Sequence, residues 1–143
     1  MSRRHILIVD DDRELTSFLT EILCQCDEGY RITVSHSGEE ALEKLEAMSV
    51  NVLVTDLRMP GLDGLALIRW ARTFHPDTPA ILMTGDGHED VPAQARACGA
   101  WKTVRKSLDL PARLGQAVRD SLSARNAEEQ GPTGPPAAST VKG

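Results

Sequence analysis

Two kinds of charged group and one hydroxyl stand at the ends of separate apolar runs. Ile6–Val9 leads into Asp10, Asp11 and Asp12. The run 51–56 ends in Asp56, the run 80–84 in Thr84, and the weaker run 101–106 in Lys106. If these runs are parallel strands of one sheet, all of these groups meet at one edge. Clustered carboxylates repel one another and raise each other's pKa unless a cation neutralises them. A hard ion with oxygen ligands does so, and Mg2+ suits a site that also holds phosphate. An aspartate carboxylate can attack a phosphoryl group to give an aspartyl phosphate, with Mg2+ and an ammonium balancing the spread negative charge.

Each residue alone has an ordinary alternative. Acids are favoured at helix N-termini, Asp56 precedes the turn Arg58-Met59-Pro60-Gly61, Thr84 could cap or turn, and a lone lysine is usually a solvated surface group. The case rests on convergence from four separate elements.

The elements that would position these groups alternate along the chain. Leu15, Phe18, Leu19, Ile22 and Leu23 follow the spacing of one helix face. Arg31–Ser35 alternates polar and apolar, as a half-exposed edge strand does. Ser37-Gly38-Glu39-Glu40 is a capping box opening a second helix, with Ala41, Leu42, Leu45 and Met48 on its apolar side. The run 51–56 is apolar almost throughout, which suits a strand buried on both faces. Asp63 can cap a third helix carrying Leu67, Ile68, Ala71 and Phe74, stopped by the segment 75–79 with its two prolines. A short helix opens near Pro92 and closes at Gly99. A last one starts at Asp109, with Leu110, Leu114, Ala117, Val118 and Leu122 as its stripe.

Strand and helix thus alternate five times. This implies an α/β class, a three-layer (βα)5 sandwich around a parallel five-stranded sheet. Polar second and fifth strands fit the order 2-1-3-4-5, one of two common orders, with a ligand-binding switch point between strands 1 and 3. Residues 1–126 are read as one domain, and the Pro/Gly-rich segment 127–143 as a disordered tail.

Composition narrows the function classes. A chain of 143 residues holds one domain with a single good core. Its net charge of −5 argues against a large phosphate-backbone footprint, and an aromatic fraction of 3% against stacking platforms for single-stranded nucleic acid. No apolar stretch reaches the roughly 20 residues that span a bilayer. Cys24, Cys26 and Cys98 make a poor disulfide framework and are expected to be buried or half-buried thiols, with a cytoplasmic location.

The segments ILIVDDD, VTDLRMPGLDG and MTG, and Lys106 after GAWKTVR, occur in the order and spacing of a known family. Over about residues 4–125 the chain resembles the receiver domain of bacterial two-component response regulators, in a stand-alone form similar to the chemotaxis regulator. The resemblance implies the flavodoxin-like receiver fold. It implies that Asp56 is the phosphoacceptor, taking phosphate from the phosphohistidine of a sensor histidine kinase or phosphotransfer protein. Asp10, Asp11, Asp56 and the backbone carbonyl of Arg58 would hold Mg2+, and Thr84 and Lys106 would bind the phosphoryl oxygens. Asp12 is expected to cap a helix. The protein would be a signalling phosphoacceptor and not a turnover enzyme, switching a surface for an unknown downstream protein. No DNA-binding domain is recognisable in the chain.

Two positions depart from the family pattern. Thr103 stands where an aromatic residue is usual, and Ser107 where proline follows the lysine; the bond before Ser107 is expected to be trans. Arg58 and Asp86 are expected to pair across the mouth of the site. Two rivals remain. The haloacid dehalogenase phosphatases also combine an Asp-x-Asp with a threonine and a lysine, but would leave Asp56 without a role. A receiver-like docking module would work without phosphate.

Overall fold

The computed structural model describes residues 4–26, 29–85 and 90–130. Strands and helices alternate: β1 (Arg4–Val9), α1 (Arg13–Cys26), β2 (Tyr30–Ser35), α2 (Gly38–Ala47), β3 (Val52–Asp56), α3 (Gly64–Phe74), β4 (Ala80–Thr84), α4 (Val91–Cys98), β5 (Lys102–Arg105) and α5 (Leu110–Gln130). All strand pairs are parallel, in the order β2-β1-β3-β4-β5. The polar strands are the edges, as the sequence pattern requires. Among the described residues no helix is long and apolar enough to cross a membrane.

Alternation along the strands divides the core into two layers. Ile6, Ile8, Val52, Val54, Ile81 and Met83 face Leu19 and Leu23 of α1 and Leu114 and Val118 of α5. Leu7, Val9, Leu53 and Leu82 face Ala41 and Leu45 of α2, Leu67 and Ile68 of α3 and Ala95 of α4. Each valine, leucine, isoleucine or methionine among them, fully buried, contributes about 1.5–3 kcal/mol. The central strands are therefore held from both sides, and the groups at their carboxyl ends sit on a rigid base.

Local signals act where the sequence places them. The Ser37 hydroxyl accepts the Glu40 N–H at 3.1 Å. Glu40 reaches back to the N–H of His36 at 2.8 Å, one residue before the cap. Asp63 caps α3 by accepting the Ala66 N–H at 2.9 Å. Gly99 ends α4 with φ 104°, a left-handed conformation that favours glycine.

Three expectations fail. Phe18 and Phe74 are exposed and not in the core. The buried stripe of α1 is Thr16, Leu19 and Leu23. Phe18 precedes Leu19 by one residue, which turns it about 100° away. Phe74 is the last residue of α3 and lies against Trp70, with ring centroids 4.9 Å apart. Cys24 is exposed because it follows Leu23 by one residue and so turns off the buried stripe; Cys26 is exposed as the last residue of α1, while Cys98 is half-buried. Finally, α5 passes the boundary placed after residue 126 and continues to Gln130. Ala127, Glu128, Glu129 and Gln130 are all good helix formers. Residues 131–143 of the expected tail lie outside the described residues.

Candidate functional site

Because the strands are parallel, their carboxyl ends form one rim. Asp10 directly follows β1, Asp56 ends β3, Thr84 ends β4, and Lys106 directly follows β5. Register aligns them: Val9 pairs with Thr55, Asp56 with Met83, and Thr84 with Arg105. The Lys106 N–H donates to the Thr84 carbonyl at 2.8 Å, extending the ladder by one residue. Asp10, Asp56 and Thr84 are 1%, 7% and 2% exposed, and for the two acids such burial is rare without partners.

Lys106 is the partner for both acids. Its ammonium lies 2.8 Å from Asp10 Oδ2 and 2.9 Å from Asp56 Oδ1. Asp56 Oδ1 also accepts the N–H of Leu57 at 2.9 Å, so its other oxygen is the one left for new chemistry. Asp10 Oδ1 accepts the Asp12 N–H at 2.9 Å, which fixes the turn leading into α1. Burial, and then the charge of Asp10, push the Asp56 carboxyl above the usual carboxylate range, against the opposing pull of Lys106. For Lys106 the largest single influence, burial, disfavours its charge. Its bonds to Asp10 and Asp56 outweigh that, and its pKa lies above the ordinary lysine value. The rim is thus a buried charge cluster with two acids on one cation.

Asp11 adds a third carboxylate. Asp10, Asp11 and Asp56 each offer an oxygen, all within 4.8 Å of one another. Three hard oxygen donors, one of them solvent-exposed, fit a divalent cation that keeps part of its water shell. Asp12 does not join them: its Oδ1 accepts the N–H of Leu15 at 3.1 Å and caps α1. Arg58 is exposed in the loop between β3 and α3, two residues past Asp56. Asp86, its expected partner across the mouth, lies outside the described residues.

Three contacts at the rim escape the pattern of reactive residues. Gly64 lies so close to β3 that a Cβ there would stand 2.1 Å from the Asp56 carbonyl oxygen. Its N–H bonds the Leu57 carbonyl at 2.9 Å. The glycine in LDG is the signal, since a close backbone approach demands it. His36 Nδ1 lies 3.1 Å from the Asp10 carbonyl; a carbonyl only accepts, so Nδ1 carries the proton. Nothing in the spacing of His36 marks it. Last, Thr103 borders a cavity of about 500 Å³ between β5 and α5, reaching from Thr84 and Lys106 to Ala117. The bond before Ser107 is trans, as no peptide bond among the described residues is cis.

The family model for the response regulator receiver domain matches residues 6–119. The chain is 32% identical to the DNA-binding transcriptional regulator NtrC of Escherichia coli (strain K12) over 139 residues, covering 93% of this chain and 29% of that protein. It is 36% identical to the C4-dicarboxylate transport transcriptional regulatory protein DctD of Rhizobium meliloti (strain 1021) over 125 residues, 87% of this chain and 25% of that one. The chain therefore spans between a quarter and a third of the length of these relatives. In structure it is similar to a CheY-like response regulator receiver domain protein from Methanospirillum hungatei JF-1. The TM-score there is 0.82 at 27% identity, covering 89% of this chain and 99% of that one.

Proposed function

Because the chain belongs to the response regulator receiver domain family and so acts in two-component signal transduction, we propose that Asp56 is its phosphoacceptor. The observation that carries this reading is the Lys106 ammonium seated between Asp10 and Asp56, at 2.8 and 2.9 Å, with Asp11 completing the carboxylate cluster.

The donor is the phosphohistidine of a sensor histidine kinase or of a phosphotransfer protein. The free oxygen of Asp56 attacks phosphorus; the new O–P bond forms as the N–P bond breaks, and the departing imidazole nitrogen takes a proton. Asp10, Asp11 and Asp56, whose carboxylate oxygens cluster, would hold Mg2+ together with the Arg58 carbonyl. When bound, Mg2+ supplies positive charge to the phosphoryl oxygens. Lys106 exchanges its Asp56 contact for a phosphoryl oxygen, and the Thr84 hydroxyl donates to another. Charge-assisted bonds of about 1.5–3 kcal/mol each suffice to tip two states that differ by a few kcal/mol. The chain is a switched signalling domain and not a turnover enzyme, and its state is read by a downstream protein. A cytoplasmic location fits the free thiols of Cys24, Cys26 and Cys98.

The test is intact mass after incubation with acetyl phosphate, with and without Mg2+. Wild type should gain one phosphoryl group only with Mg2+, and Asp56→Asn should gain none. Equal phosphorylation of Asp56→Asn would end the assignment.

A further inference from the structure

The loops that carry the acids of the rim do not stand alone. Both touch the segment that opens α2. On one side, His36 donates from Nδ1 to the carbonyl of Asp10 at 3.1 Å, and the N–H of His36 is itself held by Glu40 at 2.8 Å. On the other side, the exposed carboxylate of Glu39 accepts the N–H of Leu62 at 3.0 Å, across 23 residues of sequence. Leu62 sits in the loop between β3 and α3, which carries Arg58.

Glu39 is not a chance surface contact, because the backbone beneath it is built to the same fit. Gly38 is buried, and a Cβ there would lie 2.6 Å from the Leu62 carbonyl oxygen and 2.8 Å from its Cβ. Gly61 has φ 79°, and a Cβ there would lie 2.7 Å from Glu39 Oε2. Two glycines, one on each side, therefore let α2 and the loop approach. Leu57 and Met59, from the start of the same loop, are buried in one cluster with Ala41 and Leu45 of α2. The helix and the loop pack as a unit.

We propose that the first turn of α2 is a brace for the cation site, and that Glu39 is a positioning residue within it. Glu39 touches no acid of the rim. By fixing Leu62 it fixes the loop on which the Arg58 carbonyl is carried, while His36 fixes the carbonyl of Asp10. Pre-arranged ligands bind a cation more tightly than ligands that must be ordered on binding. This inference rests on the Mg2+ reading above.

The experiment compares wild type, Glu39→Ala and Glu39→Gln by Mg2+ calorimetry and by hydrogen exchange of the Leu62 amide without metal. Glutamine keeps an acceptor oxygen and loses the charge; alanine loses both. Glu39→Ala should exchange Leu62 faster and bind Mg2+ about three- to tenfold more weakly. That is less than the roughly 10–100-fold typical of groups bonded directly to a metal ligand. Glu39→Gln should stay within about twofold of wild type on the hydrogen-bond argument. Wild-type affinity in Glu39→Ala overturns the brace. So does equal weakening in both variants, which would mean that Glu39 acts through its charge alone. If wild type itself takes up no Mg2+, the metal reading falls and the brace falls with it, a result distinct from the other two.

Discussion

Lys106→Met is the perturbation from which most can be worked out. Methionine keeps the aliphatic length and deletes the ammonium, so Asp10 and Asp56 are left facing each other, 1% and 7% exposed. At 2.8 and 2.9 Å each contact is worth about 6 kcal/mol before desolvation, at an effective dielectric of about 20. Burial of the ammonium offsets much of that. Breaking a buried pair by removing one partner costs about 3–5 kcal/mol net. The Lys106 side chain is 23% exposed, so solvent screening puts the loss near the lower end, about 3 kcal/mol. In a domain of this size that lowers Tm by roughly 10 °C.

The loss should depend on pH with a definite sign. Without the cation, the Asp56 pKa, already raised in the folded state, rises further. A folded pKa above the unfolded one means that the native state binds more protons. The deficit is then largest near neutral pH and shrinks as pH falls through the folded pKa of Asp56. Mg2+ should restore part of the loss: at ten times its dissociation constant it returns about 1.4 kcal/mol. Thermal and urea unfolding with chelator and with Mg2+, in neutral and mildly acidic buffer, measures all three effects. An unchanged midpoint in chelator, or a deficit of equal size at both pH values, would refute the electrostatic account of the rim.

Other expectations follow from the same geometry. Asp56→Asn should raise Tm in chelator by a few degrees near neutral pH, because burial disfavours the charge that it removes. The gain should fade as pH drops through the raised pKa of Asp56, where the wild-type carboxyl is itself neutral; a lower Tm would contradict the argument. Gly64→Ala places a Cβ 2.1 Å from the Asp56 carbonyl, so urea unfolding should show a loss of about 1–3 kcal/mol. Phosphorylation of Asp56 should slow in the same variant, and a wild-type result in both assays would show that the approach is looser than described. Asp11→Asn removes an exposed member of the cluster, so stability in chelator should move by no more than about 0.5 kcal/mol. Calorimetry should show Mg2+ binding weakened by about tenfold or more.

The edge strands and the rim are legible in the sequence for a physical reason, whereas the order 2-1-3-4-5 is one of two that the pattern allows. Continuous apolar runs mark central strands such as β3, and polar alternation marks an edge such as β2. Once the strands are parallel, the residue ending each run must lie at one rim. The sequence alone therefore groups Asp10, Asp56, Thr84 and Lys106 at one edge. Helix faces were less certain. Phe18 fits the apolar spacing yet lies one step round the helix from Leu19, and Phe74, in line with Leu67 and Ala71, is exposed as the last residue of α3; spacing alone resolves neither. The contacts of His36, Glu39 and Gly64 were not legible as such. Each depends on how a loop lies against a helix or strand distant in sequence, and no period in the chain records that.

The central claim is that one particular carboxylate, that of Asp56, takes the phosphoryl group. Borohydride reduces an acyl phosphate on aspartate to homoserine, so peptide mapping after phosphorylation and reduction locates the acceptor directly. Homoserine at position 56, formed only when Mg2+ was present, is the predicted result. Homoserine at position 10, 11 or 12, or a phosphoryl group retained with position 56 still aspartate, would contradict it.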